Sequence, residues 1–140
     1  MGRRCCLLLM ASGLILHCSA CGGAPPPSKD KKPTFAVQGR VLVDGQPVAD
    51  AVVTFHPHGE TGAKLTRSYA KTDASGNFKL STYEPGDGAP AGRYLVTVYQ
   101  DPDQPGASLP ERYHSPATSG IVAEVKPQDN ELEPFRLRCR

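Results

Sequence analysis

The sequence predicts an all-β protein: a seven-stranded antiparallel Greek-key β-sandwich that follows a signal peptide and a disordered tether. Short segments of alternating apolar and polar residues recur along the chain, and turn residues separate them, including many of the 14 glycines and 14 prolines. After the first twenty residues, no segment keeps the i, i+3, i+4, i+7 spacing of an amphipathic helix. Short strands at regular spacing with glycine and proline between them are typical of a β-sandwich.

The predicted strands lie, in chain order, at residues 35–43, 51–56, 66–72, 77–81, 92–99, 121–125 and 132–138. In the second strand, Ala51, Val53 and Phe55 occupy every other position and are expected to face the core. The third strand is less apolar than the others, which predicts a place at the edge of a sheet.

Two short turns organise these strands. Asp44 and Gly45 form a dipeptide that strongly predicts a type I′ hairpin turn, because both central residues of that turn need a positive φ. Between the third and fourth strands, the Asp73 side chain is expected to accept a hydrogen bond from the backbone two residues on, and Gly76 is expected to take a positive φ. Phe78 follows and alternates with polar residues, so it is predicted to be a core residue.

The first twenty residues have the features of an export signal. Arg3 and Arg4 supply a short positive region, and residues 5–16 are apolar and uncharged. This apolar stretch suits a signal peptide, because it is shorter than the ~20 residues needed to span a bilayer. We therefore expect residues 1–20 to be a signal peptide outside the folded domain.

Cys21 follows two small residues, Ser19 and Ala20, and this ending resembles the lipobox of bacterial lipoproteins. The resemblance implies cleavage before Cys21, lipidation of that residue and anchoring in the membrane through the N-terminal lipid. It departs from the usual pattern at Cys18, where leucine is common, and a plain secretory signal is the alternative. Gly22 is not the aspartate associated with retention in the inner membrane, which favours the outer membrane within the cell envelope.

Beyond the signal, the sequence divides into a lipidated cysteine with a tether, residues 21–34, and one domain, residues 35–140. The tether is rich in proline and lysine and has no apolar face, which predicts disorder. Residues 1–20 hold two of the 16 basic residues, so the remainder has 14 basic and 14 acidic residues. A chain without net charge lacks the positive field that attracts nucleic acid, and no nucleic-acid partner is predicted. Cys139 is left as a terminal thiol or as one half of an intermolecular disulfide.

Five motifs within the predicted domain resemble those of the carboxypeptidase regulatory-like domain. They are Val37-Gln38-Gly39-Arg40-Val41, Asp44-Gly45-Gln46-Pro47-Val48, Ala51-Val52-Val53-Thr54-Phe55, Thr72-Asp73-Ala74-Ser75-Gly76-Asn77-Phe78 and Ala91-Gly92-Arg93-Tyr94. The resemblance implies a transthyretin-like sandwich of seven strands. It implies no peptidase activity, because this domain is an accessory module in the carboxypeptidases, and a shared fold does not establish a function.

No catalytic residue, metal site or cofactor is predicted. His56 and His58 flank a proline and could offer two imidazoles, but a zinc site needs three or four ligands. Asp101 and Asp103 occupy two positions of a calcium-loop pattern, which then fails because Arg112 stands where a bidentate glutamate is required. A looser calcium site with Asp87 remains an alternative. The chain also lacks the G-x-S-x-G and H-E-x-x-H motifs of hydrolases and metalloproteases.

Residues 100–120 form a connection that is long for a compact domain, and such loops are often functional. Arg112, Tyr113 and His114 are the candidate partner-binding residues, because arginine and tyrosine are enriched at binding hot spots. The alternative is that Leu109 and Tyr113 hold the loop against the sandwich while Arg112 projects into solvent.

These observations predict a non-catalytic, lipid-anchored protein of the cell envelope with a structural or adhesive domain. The alternative is a binding module for a small ligand or an envelope glycan. Glycan-binding surfaces need exposed aromatic rings, and the chain contains no tryptophan. Tyr83 and Tyr113 are the only loop tyrosines, and this scarcity favours the structural or adhesive role. An envelope protein or glycan is the expected partner.

Overall fold

The computed structural model describes residues 31–59, 65–104 and 109–139. They form one 3₁₀ helix, Glu111–His114, and eleven strands. The strands are β1 (Thr34–Phe35), β2 (Val37–Val43), β3 (Gln46–Pro47), β4 (Val52–Pro57), β5 (Ser68–Lys71), β6 (Asn77–Lys79), β7 (Ala89–Pro90), β8 (Gly92–Tyr99), β9 (Ile121–Val125), β10 (Asn130–Glu131) and β11 (Phe135–Leu137). No described residue lies in an α-helix, and the all-β prediction is confirmed for this part of the chain. The predicted signal peptide and Cys21 lie outside the described residues.

The strands form two main sheets and one short ladder. β2 is the centre of the first sheet, where it pairs with β3, β6, β10 and β11. The second sheet has four strands in the order β5-β4-β8-β9. β1 and β7 pair separately as a two-stranded ladder. β5 lies at the edge of the four-stranded sheet, as the low apolar content of this segment predicts.

The structure differs from the predicted seven antiparallel strands in two respects. The described residues contain eleven strand segments, because four two-residue segments accompany the seven longer strands. One of the four, β10, is separated from β11 by residues 132–134. In addition, β10 and β11 pair with β2 in parallel. An alternating pattern indicates which side chains face the core, but it carries no information about the direction of the paired strand.

One hydrophobic core lies between the two main sheets. Both sheets contribute fully buried side chains to it, such as Val37 and Val41 from β2, and Val53 and Val96 from the four-stranded sheet. The Phe55 ring is the centre of an aromatic group. Its ring centroid lies 6.3 Å from that of Phe78, 5.6 Å from that of Tyr94 and 6.3 Å from that of Phe135. Since these rings come from both sheets, the sheets pack face to face as in a β-sandwich.

The tether predicted for residues 21–34 ends inside the folded structure. Thr34 belongs to β1 and pairs with Pro90. The Lys31 ammonium lies 5.3 Å from the centre of the Tyr83 ring and 3.9 Å from the Glu84 carboxylate. The folded part of the chain therefore includes residues that the predicted boundary assigns to the tether.

Both predicted turns have their glycines at positive φ. In the first, Asp44 has a φ of 48° and Gly45 a φ of 83°, the signs that a type I′ turn requires. In the second, Oδ1 of Asp73 accepts hydrogen bonds from the backbone N–H groups of Ser75 at 2.8 Å and Asn77 at 2.9 Å. The bond from Asn77 is the largest of the effects that lower the pKa of the Asp73 carboxyl. Gly76 completes this turn with a φ of 74°.

Gly76→Val is expected to lower the free energy of unfolding by roughly 1–3 kcal/mol, because a β-branched residue is strained at positive φ. A Cβ at this position would also lie 2.6 Å from the carbonyl oxygen of Val41. Gly45→Val is the matched control, since Gly45 has a similar φ and no atom within 4 Å of its Cβ position. Thermal melts should show a lower melting temperature for Gly76→Val than for Gly45→Val. Equal melting temperatures would contradict the predicted clash with the Val41 carbonyl oxygen.

Candidate functional site

The outward surface of the four-stranded sheet carries most of the exposed apolar side chains. Five large hydrophobic residues are exposed in the described chain: Val52 (38%), Leu65 (49%), Tyr69 (58%), Tyr99 (47%) and Val122 (50%). All except Leu65 lie in strands of this sheet. They point away from the core, since their neighbours along each strand are buried or, for Ile121, packed against the core. We call this surface the outer face and define it as Val52, Thr54, His56, Tyr69, Lys71, Arg93, Leu95, Thr97, Tyr99, Val122 and Glu124.

The strand register brings the two exposed tyrosines to opposite sides of β4. Val52 pairs with Tyr99 on β8, and Thr54 pairs with Tyr69 on β5. The Cα atoms of Tyr69 and Tyr99 are therefore two strand spacings and two residues apart, which is about 12 Å. Val52 lies between them, directly beside Tyr99 and diagonally beside Tyr69. The register therefore places these three apolar side chains next to one another across three strands, and we call them the apolar strip.

The 3₁₀ helix holds one end of this strip. The His114 ring lies 5.1 Å from the Tyr99 ring, centroid to centroid, in an edge-to-face arrangement. His114 is half-buried, so the loop that contains it restricts the Tyr99 ring. A restricted aromatic side chain loses little conformational entropy when it binds a partner.

The centre of the outer face carries little charge. The Nε2 atom of His56 lies 3.0 Å from the hydroxyl oxygen of Thr97. Burial, and then the positive charge of Arg67, lower the pKa of His56 below its usual value, which favours the neutral imidazole. The Lys71 ammonium lies 2.7 Å from the Asp50 carboxylate, which offsets its charge.

The outward surface of the first sheet is different in character. Apart from the half-buried Leu42, its outward side chains are mainly polar or charged, and they include Gln38, Arg40, Asn77, Lys79 and Glu131. They contribute to an open groove of about 970 Å³, in which acidic and basic residues are mixed. A surface of mixed charges is typical of a solvated sheet, whereas exposed tyrosine and valine side chains are typical of an interaction site.

Two buried side chains hold the long loop before β9 against the sandwich. Leu109 and Tyr113 are buried in the core. The Tyr113 hydroxyl accepts a hydrogen bond from the backbone N–H of Arg138 at 3.1 Å and lies 3.3 Å from the carbonyl oxygen of that residue. The Tyr113 ring fills the core beside the C-terminal strand, in agreement with the interpretation that Leu109 and Tyr113 hold the loop against the sandwich.

Arg112 is exposed, but it does not project freely into solvent. Its guanidinium lies 4.8 Å from the centre of the Tyr113 ring. Its Nη2 atom donates to the Tyr113 hydroxyl at 3.0 Å and to the carbonyl oxygen of Arg138 at 2.6 Å. Of the three predicted loop residues, only His114 contacts the outer face, through Tyr99.

The aspartates considered as calcium ligands accept hydrogen bonds from backbone N–H groups of their own loops. The Asp87 carboxylate accepts hydrogen bonds from three backbone N–H groups of its own loop, residues 82–84. Asp101 accepts one from the backbone of Asp103. The described residues contain no group of three or more histidine, cysteine, aspartate or glutamate side chains placed to hold a metal ion. The Cys139 thiol is exposed, and a hydrogen bond with Asp44 raises its pKa.

Tyr69 and Tyr99 are candidate binding residues that loop-centred sequence analysis misses. Both occupy outward positions in strands that the sequence predicts, between residues expected to face the core. A list of the aromatic residues at outward strand positions would have found them before the structure was known.

Comparisons with known proteins leave the family open. The sequence matches no protein-family model, and no curated protein matches it significantly. The dioxygenase domain of a dioxygenase carbohydrate-binding protein fusion from Streptomyces sp. SirexAA-E is similar in structure over 80% of this chain and 84% of that chain, with 19% identity and a TM-score of 0.40. Chlorocatechol 1,2-dioxygenase from Pseudomonas putida has 15% identity and a TM-score of 0.35, and the match covers 80% of this chain and 60% of the dioxygenase. Similarity at this level is too low to bear on function.

Within residues 31–59, 65–104 and 109–139, no helix is long and apolar enough to cross a bilayer.

Proposed function

We propose that the protein is a non-catalytic, lipid-anchored protein of the bacterial cell envelope, and that its β-sandwich attaches to envelope material through the outer face. One observation carries this proposal: four of the five exposed large hydrophobic residues in the described chain lie in the four-stranded sheet. An exposed apolar surface rimmed by polar residues is typical of an interaction site. The polar surface of the other sheet offers no comparable strip.

We also propose that the domain is a transthyretin-like Greek key of the carboxypeptidase regulatory-like type. Seven of the described strands have three or more residues, which is the strand number of that fold. Two of the motifs that carry the resemblance lie at turns, one joining β2 to β3 and the other joining β5 to β6. Their positions support a structural role for these motifs.

A non-catalytic role is supported by the hydrogen bonds of the acidic and basic side chains. Asp73 and Asp87 accept backbone hydrogen bonds that hold their own turns. His56 contacts the Thr97 hydroxyl within the sheet. A general acid or base must exchange a proton with a substrate. The polar atoms of these side chains are instead paired with groups of the protein itself.

The anchor is tested by the substitution Cys21→Ala. If Cys21 carries the lipid, the variant is expected to lose acyl labelling and to accumulate as an unprocessed precursor or as a soluble product. Growth with a radioactive or clickable fatty acid, followed by gel electrophoresis, measures the labelling, and Cys18→Ala is the matched control. Undiminished labelling of the Cys21→Ala protein would show that this residue is not the lipid anchor.

Attachment is tested by sedimentation. Envelope fragments of the source bacterium are mixed with the purified full chain in detergent and then pelleted. The proposal predicts that the chain co-sediments with the fragments and that this binding saturates. If the chain stays in the supernatant at every fragment concentration, the adhesive role is wrong.

A further inference from the structure

We infer that the outer face binds an uncharged polysaccharide of the cell envelope. This inference rests on the proposed function and names the chemical class of the partner. It starts from Tyr69 and Tyr99, whose rings are exposed on one sheet. A tyrosine ring has a flat apolar face and a polar hydroxyl. A pyranose ring has the same combination, with C–H groups on its faces and hydroxyl groups at its rim, so the two stack and hydrogen-bond together.

The spacing of the tyrosines suits a chain of sugars. Their Cα atoms are about 12 Å apart across β4. A run of three linked pyranose units is long enough to place one sugar on each ring. Between the rings, Val52 supplies apolar contact and Thr54 supplies a hydroxyl that forms no side-chain hydrogen bond within the described chain. The strip therefore offers stacking at both ends and polar contact in the middle.

The charge of the face favours an uncharged partner. Burial and the charge of Arg67 lower the pKa of His56, which favours its neutral form, and its Nε2 atom lies 3.0 Å from the Thr97 hydroxyl within the sheet. Lys71 is paired with Asp50 at 2.7 Å. Arg93 lies directly opposite Glu124 in the strand register, and opposite charges at facing positions of two strands attract each other. Arg67 is an exposed cation whose charge reaches His56, but a single cation is not the field of basic residues that attracts a nucleic acid or an acidic polymer.

The size of the face argues against a second copy of the chain as the partner. Four strands about 4.8 Å apart and about five residues long cover a flat area of roughly 300 Å². A stable protein complex buries about 800 Å² on each partner. A narrow ligand that lies along the strip needs much less area, and lipid-anchored copies side by side would bind one polymer at several points.

The sedimentation assay separates the ligand classes when the fragments are treated beforehand. One portion is oxidised with periodate, which cleaves the vicinal diols of sugars, and another is digested with proteinase K. The inference predicts that binding of the full chain is lost after periodate and retained after proteinase. It also predicts little change in affinity between about 0.05 and 0.5 M NaCl, since exposed charges are screened over this range.

Variants locate the site. Tyr69→Ala/Tyr99→Ala is expected to weaken binding by at least about tenfold, the usual effect of removing hot-spot aromatics. Tyr83→Ala removes a surface tyrosine outside the outer face and is the matched control, with no change expected. Tyr69→Phe/Tyr99→Phe keeps both rings and should retain most of the affinity. Thermal melts of all variants show whether each remains folded.

The outcomes distinguish this inference from the proposed function. If untreated fragments never sediment the wild-type chain, the proposed adhesive role fails and the inference fails with it. If proteinase abolishes binding and periodate does not, the partner is a protein; the adhesive role stands and the polysaccharide inference is overturned. If the folded Tyr69→Ala/Tyr99→Ala protein binds as tightly as wild type, the outer face is not the site.

Discussion

Replacing Phe78 with alanine is expected to lower the free energy of unfolding by about 3–5 kcal/mol, the usual cost of removing a buried phenylalanine ring. The ring is 3% exposed and stacks against Phe135 at 5.8 Å between centroids. It also lies against Gly39, where an added Cβ would be 2.7 Å from its Cζ atom. Because the Gly39 backbone already lies close to the ring, it has little freedom to move further and fill the cavity that Phe78→Ala would leave. Urea unfolding of the purified chain measures the loss.

Phe35→Ala is the matched control for this prediction. Phe35 packs against the same core but is only half-buried. Its removal should therefore cost less than removal of Phe78, because less apolar surface returns to water. If Phe78→Ala lowered the free energy of unfolding by less than about 1 kcal/mol, that result would contradict the packing of the two sheets around this ring.

Tyr113→Ala is expected to cost about 3–5 kcal/mol and to release the loop between β8 and β9. It removes a buried ring and the hydrogen bond from the Arg138 backbone. Tyr113→Phe separates the two contributions, since it keeps the ring and should lose only about 1 kcal/mol. Arg112→Ala should lose less than about 1 kcal/mol, as exposed side chains usually do. Urea unfolding of the three variants compares these costs directly.

The order of the three losses is the decisive result. The structure predicts that Tyr113→Ala loses most, since Tyr113 is the buried member of the pair. A larger loss for Arg112→Ala would show that the arginine, which is exposed in the structure, is the residue that holds the loop. A loss near zero for Tyr113→Ala would mean that the loop does not depend on this ring.

The sequence was sufficient for the parts of the fold that depend on local chemistry. The Asp44-Gly45 and Asp73-to-Gly76 turns follow from residue types that tolerate or stabilise positive φ. The inward positions of Ala51 and Phe55 follow from the two-residue period of a strand. These signals act over a few residues, so they need no knowledge of the tertiary structure.

Other features depend on contacts between distant parts of the chain. The parallel pairing of β10 and β11 with β2 joins residues more than 90 positions apart, and no local pattern specifies it. Tyr113 has the composition expected of a binding residue, yet packing against the C-terminal strand makes it part of the core. The apolar strip likewise appears only when the register brings Tyr69, Val52 and Tyr99 together.

The binding surface is tested most directly by tyrosine footprinting of the full chain, free and bound to envelope fragments. A tyrosine-selective nitrating reagent modifies the protein, and mass spectrometry then gives the rate at each of the five tyrosines. In the free protein, Tyr69 and Tyr99 should react readily and the buried Tyr94 and Tyr113 slowly. In the sedimented complex, the account predicts that Tyr69 and Tyr99 become protected while Tyr83 reacts as before. Unchanged reaction of Tyr69 and Tyr99 in the complex would contradict it.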